Sequence, residues 1–132
     1  MELTDKADVL KKLLVGIYSE YLKTEFEFDE TDYEDEPDFD YKEILENVKT
    51  NFPDFGWYSS VLDSNKMEPN VEIGIGDELD DLTDIIKDLL VVKWKMENTS
   101  MDDALWQFQF SMQSHSEQHL VDLLKRLKER NE

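Results

Sequence analysis

The stretch from Gly76 to Leu127 constrains this chain more than any other. Apolar residues recur at three- and four-residue intervals in two runs, GDELDDLTDIIKDLLVVKWKM and MDDALWQFQFSMQSHSEQHLVDLLKRL. Only Glu97-Asn98-Thr99-Ser100 separates them. That period belongs to amphipathic helices, and so short a break makes the two return antiparallel as a helical hairpin. In the first run Leu79, Leu82, Ile85, Ile86, Leu89 and Leu90 form a broad apolar stripe. Asp77, Asp81, Asp84 and Asp88 follow a four–three–four spacing and line up as a ridge on another side. Such a ridge is expected to be a solvated face. Asp80 and Asp84, nearest the edge of the apolar stripe, are the aspartates best placed to turn inward, while Asp77 serves the helix N-terminus. Thr99 or Ser100 is the expected cap of the second helix, which ends in Lys125, Arg126, Lys128 and Arg130, complementing its C-terminal dipole.

A further amphipathic helix is predicted from Thr4, its N-cap, to Lys23. Val9, Leu10, Leu13, Leu14, Ile17, Tyr18, Tyr21 and Leu22 make one buried face. Gly16 interrupts this helix at a cost of about 1 kcal/mol relative to Ala, which suggests another helix packing close there. Tyr41 to Thr50 reads as a short helix, ended by Phe52-Pro53. Trp57, Tyr58, Val61 and Leu62 read as a short helical or irregular piece over the core. Val71, Ile73 and Ile75 alternate like a strand, but no partner strand stands out, so this segment is expected to be an extended lead-in. The fold class expected is all-α, an antiparallel bundle of four to five helices in a single domain over residues 1–132.

Between the first two helices, Glu25–Tyr41 carries ten acids and no Lys or Arg, interleaved with Phe26, Phe28, Tyr33, Phe39 and Tyr41. Like charge at this density keeps a segment extended and solvated, and residues 29–40 are expected to form a mobile acidic loop. The segment accounts for about half of the net charge of −19 on 132 residues. A field of that sign argues against nucleic acid and anionic membrane surfaces as partners and favours a basic protein. Phe28, Tyr33, Asp35 and Phe39 are the candidate interaction residues, since rings can bury apolar area while carboxylates hold a cationic partner. High charge does not imply disorder here, because 39% of the chain is apolar. No cysteine is present, which removes disulfides, thiolate catalysis and Cys-ligated metals. The N-terminus lacks signal-peptide character and no run is long enough to span a bilayer, so a cytoplasmic location is expected.

His115 and His119, the only histidines, stand four residues apart on one helical face and could share a metal ion. They fall beside Ala104, Leu105, Phe108, Met112 and Leu123, where half-buried structural histidines are commoner. The zinc-protease pattern is not met, because Glu117 lies midway between them on another face. A metal needs further ligands, and Asp80 and Asp84 are the candidates, giving a candidate set of His115, His119, Asp80 and Asp84 for a divalent cation. GIGDEL has glycines but no phosphate-loop lysine, and no serine sits on a nucleophile elbow. No catalytic or organic-cofactor residue is assigned.

The second half also carries a pattern of residues. Trp57-Tyr58 and Val61-Leu62-Asp63 precede GDELDDLTDIIKDL, and DALWQFQFSMQSHSEQHLVDLL follows. In this combination the chain resembles the uncharacterised bacterial family DUF5063 over about residues 57–124. The matching positions are Asp80, Asp81, Leu82, Asp84, Ile85, Asp88, Leu89, Ala104, Trp106, Phe110, His115 and His119. Where the family carries Trp-Gly-Arg between its histidines, this chain has Ser116-Glu117-Gln118, which weakens any role needing a basic residue there. The resemblance brings no activity with it. It implies that aspartates and histidines act as one unit, with Asp80, Asp81 or Asp84 bonding His115 or His119 across the hairpin. Two functions follow as expectations. One is a non-enzymatic protein–protein interaction module, and the other a metal-binding or metal-dependent hydrolytic bundle.

Overall fold

The computed structural model describes residues 2–130. In chain order it contains α1 (Leu3–Lys23), α2 (Tyr41–Asn51), β1 (Trp57–Val61), β2 (Ile73–Asp77), α3 (Glu78–Asn98), α4 (Met101–Ser111), a π-helical turn (Met112–Ser116) and α5 (Glu117–Arg130). The chain is therefore mostly helical but not all-α. Helix α3 is the centre, packing on α2, α4 and α5, while α1 lies on α5. The hairpin is present as expected. Asp77 caps α3 by accepting from the Leu79 amide, and Ser100 caps α4 by accepting from the Asp103 amide. The cap of helix α1 falls two residues earlier than expected, with Glu2 at the cap position and Thr4 inside the first turn.

The main correction concerns 57–77. Neither segment is helical or a mere lead-in; β1 and β2 pair antiparallel, with Tyr58 opposite Gly76 and Val61 opposite Ile73. The alternation misled because the apolar residues point outward. Trp57, Ile73 and Ile75 are exposed, and the inward positions of β2 are the glycines 74 and 76. A Cβ at Gly76 would collide with the ring of Tyr58. The aromatic ring of β1 thus fills the space left by the glycine of β2, and Tyr58 is laid toward α3.

The core joins Leu10, Leu14 and Tyr21 of α1, Val48 of α2, Leu82, Ile85 and Val92 of α3, Phe108 of α4, and Leu120, Leu123 and Leu127 of α5. Two expectations about α1 fail here. Val9, Leu13 and Leu22, assigned to its buried face, are exposed. Nor does a helix press on Gly16, since a Cβ there would meet no atom within 4 Å. Residues 24–40 form neither helix nor strand. They are tied to α4 at its start: Asp29 accepts from the hydroxyls of Ser100 (2.5 Å) and Tyr33 (2.7 Å), and the Glu27 amide donates to Asp102 (3.2 Å). These donors, Ser100 first, hold the Asp29 carboxyl well below the usual range. Among the described residues no helix is long and apolar enough to cross a membrane.

Candidate metal site on the hairpin seam

The aspartate ridge does not face solvent. Helix α5 lies against it, so Asp81 is buried and Asp84 and Asp88 are partly covered. The expected solvated face is overturned for a packing reason: α3 is covered on more than one side, by α2 and by α5. Two imidazoles meet the ridge. His119 places Nδ1 2.7 Å from Asp81 Oδ1 and Nε2 3.2 Å from Asp84 Oδ2. His115 places Nδ1 2.9 Å from Asp88 Oδ2 and Nε2 3.6 Å from the same Asp84 oxygen. The rings stand edge to face with centroids 4.8 Å apart. Both Nε2 atoms therefore converge on one carboxylate, while each Nδ1 is held from behind by a different one.

The outer carboxylates are themselves anchored. Tyr58 donates its hydroxyl to Asp81 (2.6 Å), and Ser116 donates to Asp88 (2.5 Å). Burial, followed by the Asp81 hydrogen bond, pushes the Tyr58 phenol well above its usual pKa, so it stays a donor. Arg126 lies over the Tyr58 ring, 5.3 Å from its centroid. For His119 the hydrogen bonds to Asp81 and then Asp84 outweigh desolvation and raise the pKa to about 10. Without a metal this imidazole is a cation held between two carboxylates.

The π-helical turn contributes directly. It carries His115 and Ser116, which both reach Asp88. The turn adds a residue to the helical cycle, and such π-bulges recur at functional sites. Its one sequence signal is the run of serines at 111, 114 and 116. Ser114 donates back to the Phe110 carbonyl (2.6 Å), the kind of side-chain competition that loosens a helical ladder.

Of the expected set, His115, His119 and Asp84 come together. They are also a group of metal-capable side chains among the described residues, each offering an atom within 4.8 Å of the others. Asp80 does not join them: it faces α2 and accepts from the Tyr41 hydroxyl. Asp81, expected with Asp80 and Asp84 as a partner of the histidines though not as a metal ligand, does bond His119, and Asp88, on the same four–three–four ridge, bonds His115. Among the candidate interaction residues, Phe28 is exposed and stands edge-on to Trp106 (centroids 6.3 Å), which stacks on Phe110. Tyr33 bonds Asp29, Asp35 is exposed, and Phe39 is half-buried.

A second polar cluster lies nearer the N-terminal end of α3. Glu78 is fully buried and accepts from Arg130 (3.0 and 3.3 Å) and from the Gly56 amide (3.1 Å). Arg126 stands 3.9 Å from it, and Arg130 also pairs with Asp54. The two arginines do more than complement a helix dipole: they neutralise a buried acid.

The chain belongs to the family DUF5063, described as a domain of unknown function, whose model matches residues 7–131. The match extends well beyond residues 57–124, taking in nearly all of α1, all of α2 and the acidic segment. No curated protein and no solved structure matches the chain significantly.

Proposed function

We propose that this protein binds a first-row divalent cation, zinc or iron(II), through His115 Nε2, His119 Nε2 and Asp84. The observation that carries the reading is the convergence of both Nε2 atoms on one Asp84 oxygen, at 3.2 and 3.6 Å. With bonds of about 2.0–2.1 Å, tetrahedral ligand atoms lie about 3.3 Å apart, so little movement would be needed to admit an ion. Two imidazoles and one carboxylate suit a borderline metal, whereas magnesium and calcium prefer oxygen alone. Asp81 and Asp88 have the role of outer carboxylates that fix each imidazole tautomer and orient Nε2 toward a metal. Charge also favours it: three carboxylates face the imidazole pair, and one divalent cation would offset two of their three negative charges.

Three protein ligands leave a fourth position, and half-exposed His115 puts it near solvent. A water held there is the starting point of metal-dependent hydrolysis. The test is calorimetric titration of tag-free, chelator-treated protein with zinc and iron(II), in two buffers of different ionisation enthalpy. One ion per chain should bind with release of protons, and His119→Ala should abolish it. Absence of binding and of any melting shift with zinc, iron(II), manganese or nickel would end the proposal.

The second reading is a docking surface for a basic protein. It is supported by exposed Phe28 and Phe110 on either side of partly buried Trp106, with acidic Glu27 and Asp102 nearby. Phe28→Ala with Phe110→Ala should lose capture of a cationic peptide if this surface is used. Unchanged capture would remove this surface from consideration.

A further inference from the structure

Helix α1 presents an apolar wall that none of the described residues covers. Val9, Leu13 and Ile17 face Ile86 and Leu89 of α3 across an open hollow of about 430 Å³. A second hollow of about 400 Å³ continues it past Gly16 to Phe108, and Leu13, Ile17 and Leu89 line both. Together they form one trough along α1. From Lys6 to Ile17 its length is about 16 Å, at the helical rise of 1.5 Å per residue. Its volume is that of a small-molecule site.

The polar groups of the main hollow gather at one end. Lys6, Asn47 and Asn51 sit there, linked by hydrogen bonds from the Lys6 ammonium to Asn51 (3.4 and 3.5 Å) and from the Asn51 amide to the Asn47 carbonyl (2.9 Å). The lysine contacts are long and leave the ammonium able to accept a better anion. Among the described residues Lys6 is the only charged one lining this hollow. In a chain of net charge −19 that is unexpected, and it disfavours a basic peptide as occupant. Gly16 supplies a separate observation. It weakens α1, yet a Cβ there would meet nothing within 4 Å, so close packing does not account for it. It lines the second hollow, which its missing side chain leaves open.

We infer that the trough binds a long-chain fatty carboxylate, its head on Lys6 and its tail lying along Leu13, past Gly16, toward Phe108. A single ammonium selects a monoanion. The negative field of the rest of the chain repels multiply charged heads, and an acyl tail matches an apolar floor whose first hollow is polar at one end only, with Lys12 and Glu20 on the exposed rim of the second.

The test uses the full chain and displacement of the fluorescent fatty acid cis-parinarate, kept below its micelle concentration. Saturable binding at one molecule per chain, displaced by palmitate, is expected. Gly16→Leu should block the trough, lowering affinity by at least about tenfold while raising the melting temperature. Leu13→Glu should lower affinity equally with the helical circular dichroism retained. Lys6→Met should weaken palmitate but leave displacement by 1-hexadecanol unchanged. Absence of saturable binding, or full binding by Gly16→Leu, would overturn the assignment. Equal effects of Lys6→Met on acid and alcohol would overturn the carboxylate head. Self-association that Leu13→Glu dissolves, without fatty-acid binding, would instead make the trough a contact between copies.

Discussion

Helices α3 and α5 are joined by two polar clusters that differ in one chemical choice. In both, α3 supplies the acids and α5, with the π turn before it, supplies the bases. Around Glu78 the bases are arginines, permanently charged and held by a buried carboxylate. Around Asp84 they are imidazoles, which on the proposed reading would exchange a proton for a metal ion. The first cluster offers no such exchange. A seam that only had to hold the hairpin together could use the arginine solution twice. The imidazole cluster therefore carries the functional argument.

The sharpest way to break the comparison is to remove each central acid. Glu78→Ala should destabilise the protein by about 3–5 kcal/mol, because it leaves Arg130 partly buried with only Asp54. Urea unfolding measures this directly. Asp84→Asn should cost far less in the metal-free protein, since Asp81 and Asp88 still hold both imidazoles, yet it should remove the metal. If Asp84→Asn proves as damaging as Glu78→Ala, the two clusters are equivalent structural pairs and the distinction collapses.

Metal affinity comes next. His119→Ala should lower it by at least about 100-fold, and Asp81→Asn, which leaves the ligand but frees its tautomer, by about 10–100-fold. Glu78→Gln should leave the affinity of the folded protein unchanged. Calorimetry on all three variants ranks them.

How far these clusters were legible in the sequence follows from the same contrast. In the hairpin, the turn and both caps depend on local spacing and appear as expected, while a π turn interrupts the second run and the cap and buried face expected of α1 do not hold. The ridge of Asp77, Asp81, Asp84 and Asp88 was visible as a line, but a line does not say which neighbour covers it. Choosing Asp80 over Asp81 assumed a single buried side of α3, whereas α2 covers one flank and α5 another. Glu78 gave no signal, because an acid in a first helical turn is ordinary and its arginines lie some fifty positions away. The sheet was missed because its inward face is glycine, so the visible alternation marked its solvent side. Tyr58, the anchor of Asp81, was hidden with it.

The pH response separates the clusters without mutation. In the metal-free protein His119 has its pKa raised from 6.5 to about 10 by Asp81 and Asp84. A raised folded-state pKa contributes stability that is fully present below 6.5 and is lost as pH climbs through about 10. Urea unfolding in chelator should therefore show stability falling across that window, and His119→Gln should flatten the fall. The arginines stay charged throughout and add no slope. Metal affinity should run the opposite way, rising with pH as protons cease to compete for Nε2. An identical slope in the wild type and His119→Gln would place the titration elsewhere.

The smallest effect concerns how the acids themselves are held. Glu78 accepts from a backbone amide, that of Gly56, which no side-chain substitution removes. Asp88 accepts from the hydroxyl of Ser116, which one substitution deletes. Ser116→Ala should cost about 1.5–3 kcal/mol, the range for a hydrogen bond to a charged acceptor. Asp88 then keeps only His115, and that imidazole becomes freer to rotate away from Asp84. Metal binding should weaken by less than about tenfold, because His119 and its anchor Tyr58–Asp81 are untouched. Chemical-shift titration of the two imidazoles during zinc addition checks this residue by residue: His115 should broaden in the variant while His119 follows the wild type. Equal loss at both rings would mean that the π turn sets the whole site, and that the ridge of α3 alone does not.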